Sequence, residues 1–185
     1  MQVLTQIRSR KLTGYQALIA SLIGAGLTAL CAKIIFYLPI SPVPFTGQVF
    51  AVILCGMVLG GRLGALSQIE YIAIGLMGAP VFCGSVSGPT VLTGPTVGYL
   101  VGFVGAAYMV GRLMETRENA SLKFAFAAGL IGVGVIHTCG VCWLAVWPGH
   151  PFAGLSAWLV GAVPFIGVDA AKAAIAAGLC TRKHN

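Results

Sequence analysis

Charge is what this sequence has least of. Four Asp and Glu and 11 Lys and Arg residues make up 8% of the chain, against roughly a quarter in a typical soluble domain. That is too little to cover a water-exposed surface, while 58% of residues are hydrophobic and mean hydropathy is +0.95. A soluble globular class is excluded, and several apolar runs approaching 20 residues imply an integral membrane protein. No Gly-Lys dipeptide is present, so there is no phosphate-cradling P-loop, and any ATP-driven step must come from another protein. No nucleophile–base pair stands out, which argues against an enzyme. The six cysteines, Cys31, Cys55, Cys83, Cys139, Cys142 and Cys180, are scattered among apolar neighbours and suggest no disulfide framework. Around His137 there is no second His or carboxylate at metal-ligand spacing, and no cofactor is implied.

The net charge of +7 formally suggests nucleic acid, but the distribution argues otherwise. Nine of the eleven Lys and Arg residues lie in short segments between or beyond the apolar runs, and no basic stripe carries interleaved aromatics. A topology signal accounts for this better. Six apolar segments can be drawn, at about 14–37, 46–60, 63–79, 95–113, 121–147 and 164–181. Arg8, Arg10 and Lys11 precede the first, and Arg62 separates the second and third. Arg112, Arg117 and Lys123 lie between the fourth and fifth, and Arg182 and Lys183 follow the sixth. The alternate connections, 38–45, 80–94 and 148–163, carry no Lys or Arg. The positive-inside rule therefore predicts one domain over residues 1–185 with six transmembrane helices and both termini cytoplasmic. "RSRKL" before the first apolar run imitates a signal peptide, but no convincing cleavage site follows, so a retained helix is expected.

The outer connections "PISPVPFTGQ" (39–48) and "GAPVFCGSVSGPTVLTGPTVGYLVGF" (78–103) are rich in Gly, Pro, Ser and Thr yet rather apolar. Irregular backbone at membrane depth persists where it is buried in protein or lines a cavity, and long loops of this kind are often lids. A connector at headgroup level is the alternative reading. On the first segment, Ala17, Ser21, Ala25 and Ala29 fall at i+4 spacing. Such a ridge lets a second helix approach closely, either a partner's or one of the same bundle.

In "PFIGVDAAKAAIAAG" (164–178), Asp169 and Lys172 are three residues apart and share one helix face. With Pro164 in the first turn, Asp169 lies ~8 Å along the helix at 1.5 Å per residue, in the outer half of the membrane. Intramembrane ionisable groups are costly and usually functional, so a ligand site facing outward is favoured over a purely structural ion pair. Glu70, near Gln68 and Tyr71, is the other acidic group in an apolar segment. Lys33 is expected to snorkel to the headgroups, and His137 to be a packed, hydrogen-bonded histidine.

"PVPFTGQ" (42–48), "LGGRLGALSQIEYIAIGLMGAPVF" (59–82), "GPTVGYLVGF" (94–103) and "PFIGVDAAKAA" (164–174), in this order and spacing, resemble the BioY family. Its members are the biotin-specific substrate-binding (S) components of energy-coupling-factor (ECF) vitamin transporters. The resemblance implies an all-α membrane bundle of six helices, with a Gly/Pro-rich outer lid between the third and fourth, in the cell membrane. It implies capture of biotin near the outer face, with a transmembrane coupling subunit and two ATPase subunits as partners, although some members occur without a dedicated module. It also turns the Ala17, Ser21, Ala25 and Ala29 ridge toward a partner-docking role. Asp169 and Lys172 match the family's Asp-x-x-Lys, which implies that they meet the ureido ring, or that Lys172 meets the carboxylate. Gln48, Tyr71, Gly88 and Tyr99 are the further pocket candidates.

Three other functions remain in contention. An S component for another vitamin would share the architecture. A membrane thiol oxidoreductase would use the C-x-x-C of Cys139 and Cys142 and would lose activity when both became serine. A structural membrane subunit would leave Asp169 and Lys172 a packing role only.

Overall fold

The computed structural model describes residues 14–84, 87–148, 152 and 154–181. Arg8, Arg10, Lys11, Arg182 and Lys183, and with them part of the basic-end pattern, lie outside the described residues. The chain is mostly helical: α1 (Gly14–Cys31), α2 (Gln48–Leu76), α3 (Val97–Glu115), α4 (Leu122–Val146), the short α5 (Leu155–Gly161) and α6 (Val163–Thr181). Among the described residues five of these helices are long and apolar enough to cross a membrane, all but α5.

The 29 residues of α2 would span ~44 Å as one rod at 1.5 Å per residue, but they do not form one. Gly60 adopts φ 81°, ψ 176° inside the element, a region open essentially to glycine alone. Beyond it the chain reverses. A Cβ placed on Gly64 would lie 3.0 Å from the Cα of Gly56, and the side chains of Gln48 and Tyr71 hydrogen-bond at 2.8 Å. In a straight helix those two residues would be ~35 Å apart. The 48–59 and 61–76 limbs are therefore an antiparallel pair, at the place where the sequence separates its second and third apolar segments. Glu115 of α3 accepts a hydrogen bond from the Gly61 N–H at 2.8 Å and pairs with Arg112 at 2.8 Å. It thus caps the N-terminus of the second limb, where unsatisfied N–H groups favour a carboxylate.

The first apolar segment is helical only to Cys31, short of the expected 37. The chain then turns into a two-residue antiparallel ladder, β1 (Ile35–Phe36) with β2 (Phe45–Thr46), so the all-α expectation needs this small correction. Gly47 makes the return feasible: its N–H donates to the carbonyls of Cys31 and Ile34, both at 3.1 Å. A Cβ there would meet the Cys31 oxygen at 2.8 Å.

The α1 ridge lies partly within the bundle. Ser21 and Ala25 are buried, and Ala17 and Ala29 are half-buried. Beside them, a Cβ on Gly24 would lie 2.9 Å from that of Ser67. Ser21 donates to Glu70 at 2.8 Å and Thr28 to Gln68 at 3.2 Å. The small residues serve close packing against α2 within the chain, and the outward face of α1 is Leu18, Ile19, Leu22, Ile23 and Leu30. The remaining contacts order the bundle as α1 on α2, α2 on α3, α3 on α4, and α6 against both α2 and α4.

Candidate functional site

Arg62, Gly61, Arg112 and Glu115 mark one end of the bundle. At the other end a cavity opens among β2, the start of α2, the 82–100 stretch, α4 and α6, enclosing about 550 Å³ of space including its mouth. Its walls are largely apolar, with Val43, Val49, Val91, Leu100, Phe103 and Phe165. Polar groups converge at one place.

That place is Asp169. The residue is 1% exposed, and its two carboxylate oxygens have different partners. Lys172, three residues on, approaches Oδ1 at 2.7 Å, and Nε2 of His137 on α4 approaches Oδ2 at 2.9 Å. The Lys172 ammonium also donates to the carbonyl of Thr46 at 2.7 Å and lies 5.9 Å from the Phe45 ring centroid. The β1–β2 ladder thus brings a backbone acceptor to a side chain 126 residues away. Phe45 packs on Phe165 with ring centroids 4.5 Å apart, closing the apolar side of the floor. A buried carboxylate is tolerated when it is paired and hydrogen-bonded, and here it is held from two helices.

The other sequence candidates divide. Gln48 and Tyr99 line the cavity. Gln48 donates to the Tyr71 hydroxyl at 2.8 Å, and Tyr71 in turn donates to the Val81 carbonyl at 3.3 Å. Tyr71 is buried behind the lining, edge-on to Phe82, so it holds Gln48 and the 81–82 backbone and does not form wall. Tyr99 donates to the Gly161 carbonyl at 2.6 Å and packs flush against Gly140, where a Cβ would collide with its ring. Gly88 is not part of the cavity lining. It opens a 3-10 helix (Gly88–Thr93) with φ 70°, a conformation suited to glycine.

His137 is the site residue that the sequence analysis did not bring to the site. It was expected to be hydrogen-bonded, but its partner is the central carboxylate, 32 residues away. The available signal was that each is an ionisable group in a largely apolar helix. Lys33 also differs from expectation: it donates to the carbonyls of Pro80 and Phe82 at 2.6 and 3.0 Å, tying the turn after α1 to the 80–82 stretch instead of reaching for headgroups. Two tryptophans tie the 93–94 stretch to α4 and its C-terminal cap, Trp143 donating to the Gly94 carbonyl at 2.9 Å and Trp147 to that of Thr93 at 2.8 Å. Cys139 and Cys142 are free thiols on α4 and form no part of the cavity lining. No group of three or more His, Cys, Asp or Glu that could hold a metal occurs among the described residues.

The family model for BioY matches residues 4–185. The chain belongs to the BioY family. Among curated relatives it is 41% identical to the biotin transporter BioY of Thermotoga maritima over 145 residues, 78% of this chain and 83% of that protein. It is 39% identical to a probable biotin transporter BioY of Lysinibacillus sphaericus, over 86% and 82% of the two chains. With the biotin transporter BioY of Rhizobium etli the identity is 36%, over 82% and 87%. The fold matches the crystal structure of an S-component for biotin from an ECF-type ABC transporter, with a TM-score of 0.82, 22% identity, and 92% and 93% of the two chains covered. At that identity the likeness speaks for the fold.

Proposed function

We propose that this BioY-family chain captures biotin in the cavity above Asp169 and delivers it for uptake across the cell membrane, acting as a transport component and not as an enzyme. The observation that carries the reading is the Asp169–Lys172 pair, 2.7 Å apart, set in a mostly apolar cavity. Biotin presents a ureido ring with two N–H donors and one carbonyl acceptor, joined to an apolar bicycle and chain. A carboxylate beside an ammonium complements the ring, and Val49, Leu100 and Phe103 suit the rest. The printed names of the curated relatives and of the structural neighbour support the same ligand.

The topology that fits this role has six crossings: α1, the two limbs of α2, α3, α4 and α6. Arg62, Arg112, Arg117 and Lys123 would be cytoplasmic, leaving the cavity open to the outside. The 77–94 stretch would act as the cover that closes over bound vitamin. An ECF coupling subunit with two ATPase subunits would energise release, since the chain has no nucleotide motif of its own. With the α1 ridge packed inside, the outward α1 residues Leu18, Leu22 and Ile23 are the better candidates for meeting a coupler.

Calorimetric titration of the purified, detergent-solubilised chain with biotin, thiamine and riboflavin tests the ligand. Tight saturable binding of biotin alone is expected. A folded sample that binds none of the three, or prefers another vitamin, refutes the reading.

A further inference from the structure

Glu70 is an acid away from both the cavity and the helix ends. It lies nine residues past Gly61 on the second limb of α2, ~14 Å along it at 1.5 Å per residue. That is near the middle of a bilayer core ~30 Å thick. Ser21 of α1 meets it there, its Oγ 2.8 Å from Oε1 of Glu70 and 3.0 Å from the Leu18 carbonyl. Oε2 is buried and has no hydrogen-bond partner.

A carboxylate at that depth needs a cation or several donors. No cation meets it among the described residues, where the ion pairs are Arg112–Glu115, His137–Asp169 and Lys172–Asp169. From Gly14 to Cys31, α1 holds no Asp, Glu, Lys, Arg or His, and its Tyr15 is exposed. Lys33, beyond that helix, is committed to the carbonyls of Pro80 and Phe82. The first limb of α2 offers only the Cys55 thiol, which meets the Gly24 carbonyl at 3.7 Å. On the second limb Arg62 is exposed and ~12 Å away along the helix, and Tyr71 is bonded to Gln48 and Val81. Of the other helices that pack on α2, α3, α4 and α6 bring Tyr99, His137, Asp169 and Lys172, all committed at the cavity end.

Hydrogen counting completes the argument. A hydroxyl has a single hydrogen, and the Leu18 carbonyl competes for that of Ser21. As a carboxylate, Glu70 would hold a full charge inside the membrane on at most one neutral hydrogen bond. As a carboxylic acid it holds none, and its own hydrogen can serve the Ser21 oxygen while the Ser21 hydrogen serves Leu18. We propose that Glu70 is a proton-binding site, occupied while α1 is seated on α2 and emptied to water when α1 lifts away. Seating of α1 is then linked to uptake of one proton, so it is favoured as pH falls and opposed as pH rises. The inference is independent of which vitamin the cavity takes. Since α1 also carries Leu18, Leu22 and Ile23, the proposed meeting face for a coupler, a partner that draws α1 aside would release the proton as well.

Infrared spectroscopy reads the proton directly. Carbon-13 in the glutamate carboxyls restricts the label to Glu70, Glu115 and Glu118, of which Glu115 is ion-paired and Glu118 exposed. At pH 7 wild type should show a label-shifted C=O stretch of a carboxylic acid that Glu70→Gln lacks, and Ser21→Ala should move that band. Absence of the band from folded wild type, or its survival in Glu70→Gln, overturns the inference. A band that Ser21→Ala leaves unmoved overturns the pairing with Ser21.

The link to α1 is read at Cys55, 3% exposed, in a chain whose other five cysteines are alanine. A small methanethiosulfonate should reach this thiol only when α1 lifts. Dividing the wild-type labelling rate by that of Glu70→Gln cancels thiol ionisation. The ratio should rise with pH, by up to about tenfold per unit for one linked proton. In wild type alone, the acid band should disappear in step with the gain in labelling, a comparison that needs no variant at residue 70. A ratio that stays flat from about pH 6 to 9, or an acid band that titrates without any change in labelling, overturns the linkage.

Discussion

Replacing Asp169 and Lys172 singly and together separates a ligand site from a structural ion pair. Asp169 is 1% exposed and the Lys172 side chain 16%, so neither charge is well solvated if its partner goes. Removing one member of a buried pair typically costs about 3–5 kcal/mol, because the other is left uncompensated. Asp169→Asn leaves the ammonium with only the Thr46 carbonyl at 2.7 Å. Lys172→Met leaves the carboxylate with only His137 at 2.9 Å. The double variant strands no charge, and neutral replacement of a whole pair is often nearly neutral. It should therefore lie within about 2 kcal/mol of wild type, far from the sum of the singles, as coupled neighbours do. Binding should behave differently. A hydrogen bond to a charged group is worth about 1.5–3 kcal/mol, so losing two should weaken biotin by at least about a hundredfold at tenfold per 1.4 kcal/mol. Unfolding in mixed detergent micelles, followed by tryptophan fluorescence, reads the first quantity and calorimetry the second. Recovered stability without recovered binding is the expected pattern. Wild-type affinity in the double variant would refute the site, leaving the pair a packing device.

Lys33→Met removes the two bonds that hold the Pro80 and Phe82 carbonyls. Biotin release should speed up by about threefold to tenfold, the gain being limited by exposure of the Pro80 bond. An unchanged off-rate in stopped-flow measurements would separate that tie from closure. Gly60→Ala forces a side chain into φ 81° and against the Glu115 carboxylate, a strain of about 1–3 kcal/mol. The detergent unfolding midpoint should fall, and removing Glu115 as well should restore only part of it; a wild-type midpoint counts against the reversal at residue 60. Burial raises the Cys83 thiol above the ordinary thiol range, with nearby Lys33 only partly opposing it. The thiolate is the reactive form, so maleimide labelling at this cavity-lining residue should be slow at neutral pH and accelerate as pH rises. Fast labelling at pH 7 would contradict the half-buried position, and saturating biotin should slow the reaction at every pH.

What the sequence made legible was whatever depends on neighbours along the chain. Asp169 and Lys172 share a face because three residues bring side chains together on a helix, and the structure joins them at 2.7 Å. The interruption near Gly60 was visible in Arg62, set between the apolar segments 46–60 and 63–79. What remained hidden depends on which elements meet. No local pattern could pair His137 with Asp169, or bring the Thr46 carbonyl to Lys172 across 126 residues. The α1 ridge shows the same limit in another way. Small residues at i+4 spacing announce that some helix comes close, and they carry nothing about whose. Ser67, Gln68 and Glu70 answer that question by reaching α1 first.

The distribution of bonds around the cavity indicates which side should move when ligand enters and leaves. Below, Asp169 joins α6 to α4 through His137, and Lys172 joins α6 to β2, with both contacts to the carboxylate charge-assisted or drawn from a buried ring. Such bonds are about twice as strong as neutral ones, and opening this floor would expose an ion pair to a medium that solvates it poorly. Above, the cover is held through backbone carbonyls by side chains that reach it from outside: Lys33 on Pro80 and Phe82, Tyr71 on Val81, Trp143 on Gly94 and Trp147 on Thr93. Of these, the Lys33–Pro80 and Trp147–Thr93 bonds are exposed, so water can replace them at little cost. The same four polar side chains are therefore better suited to a cover that lets go than to a floor. If Asp169 and Lys172 hold the ligand as proposed, the recognition groups lie where opening is costly, and the proposed cover lies where it is not.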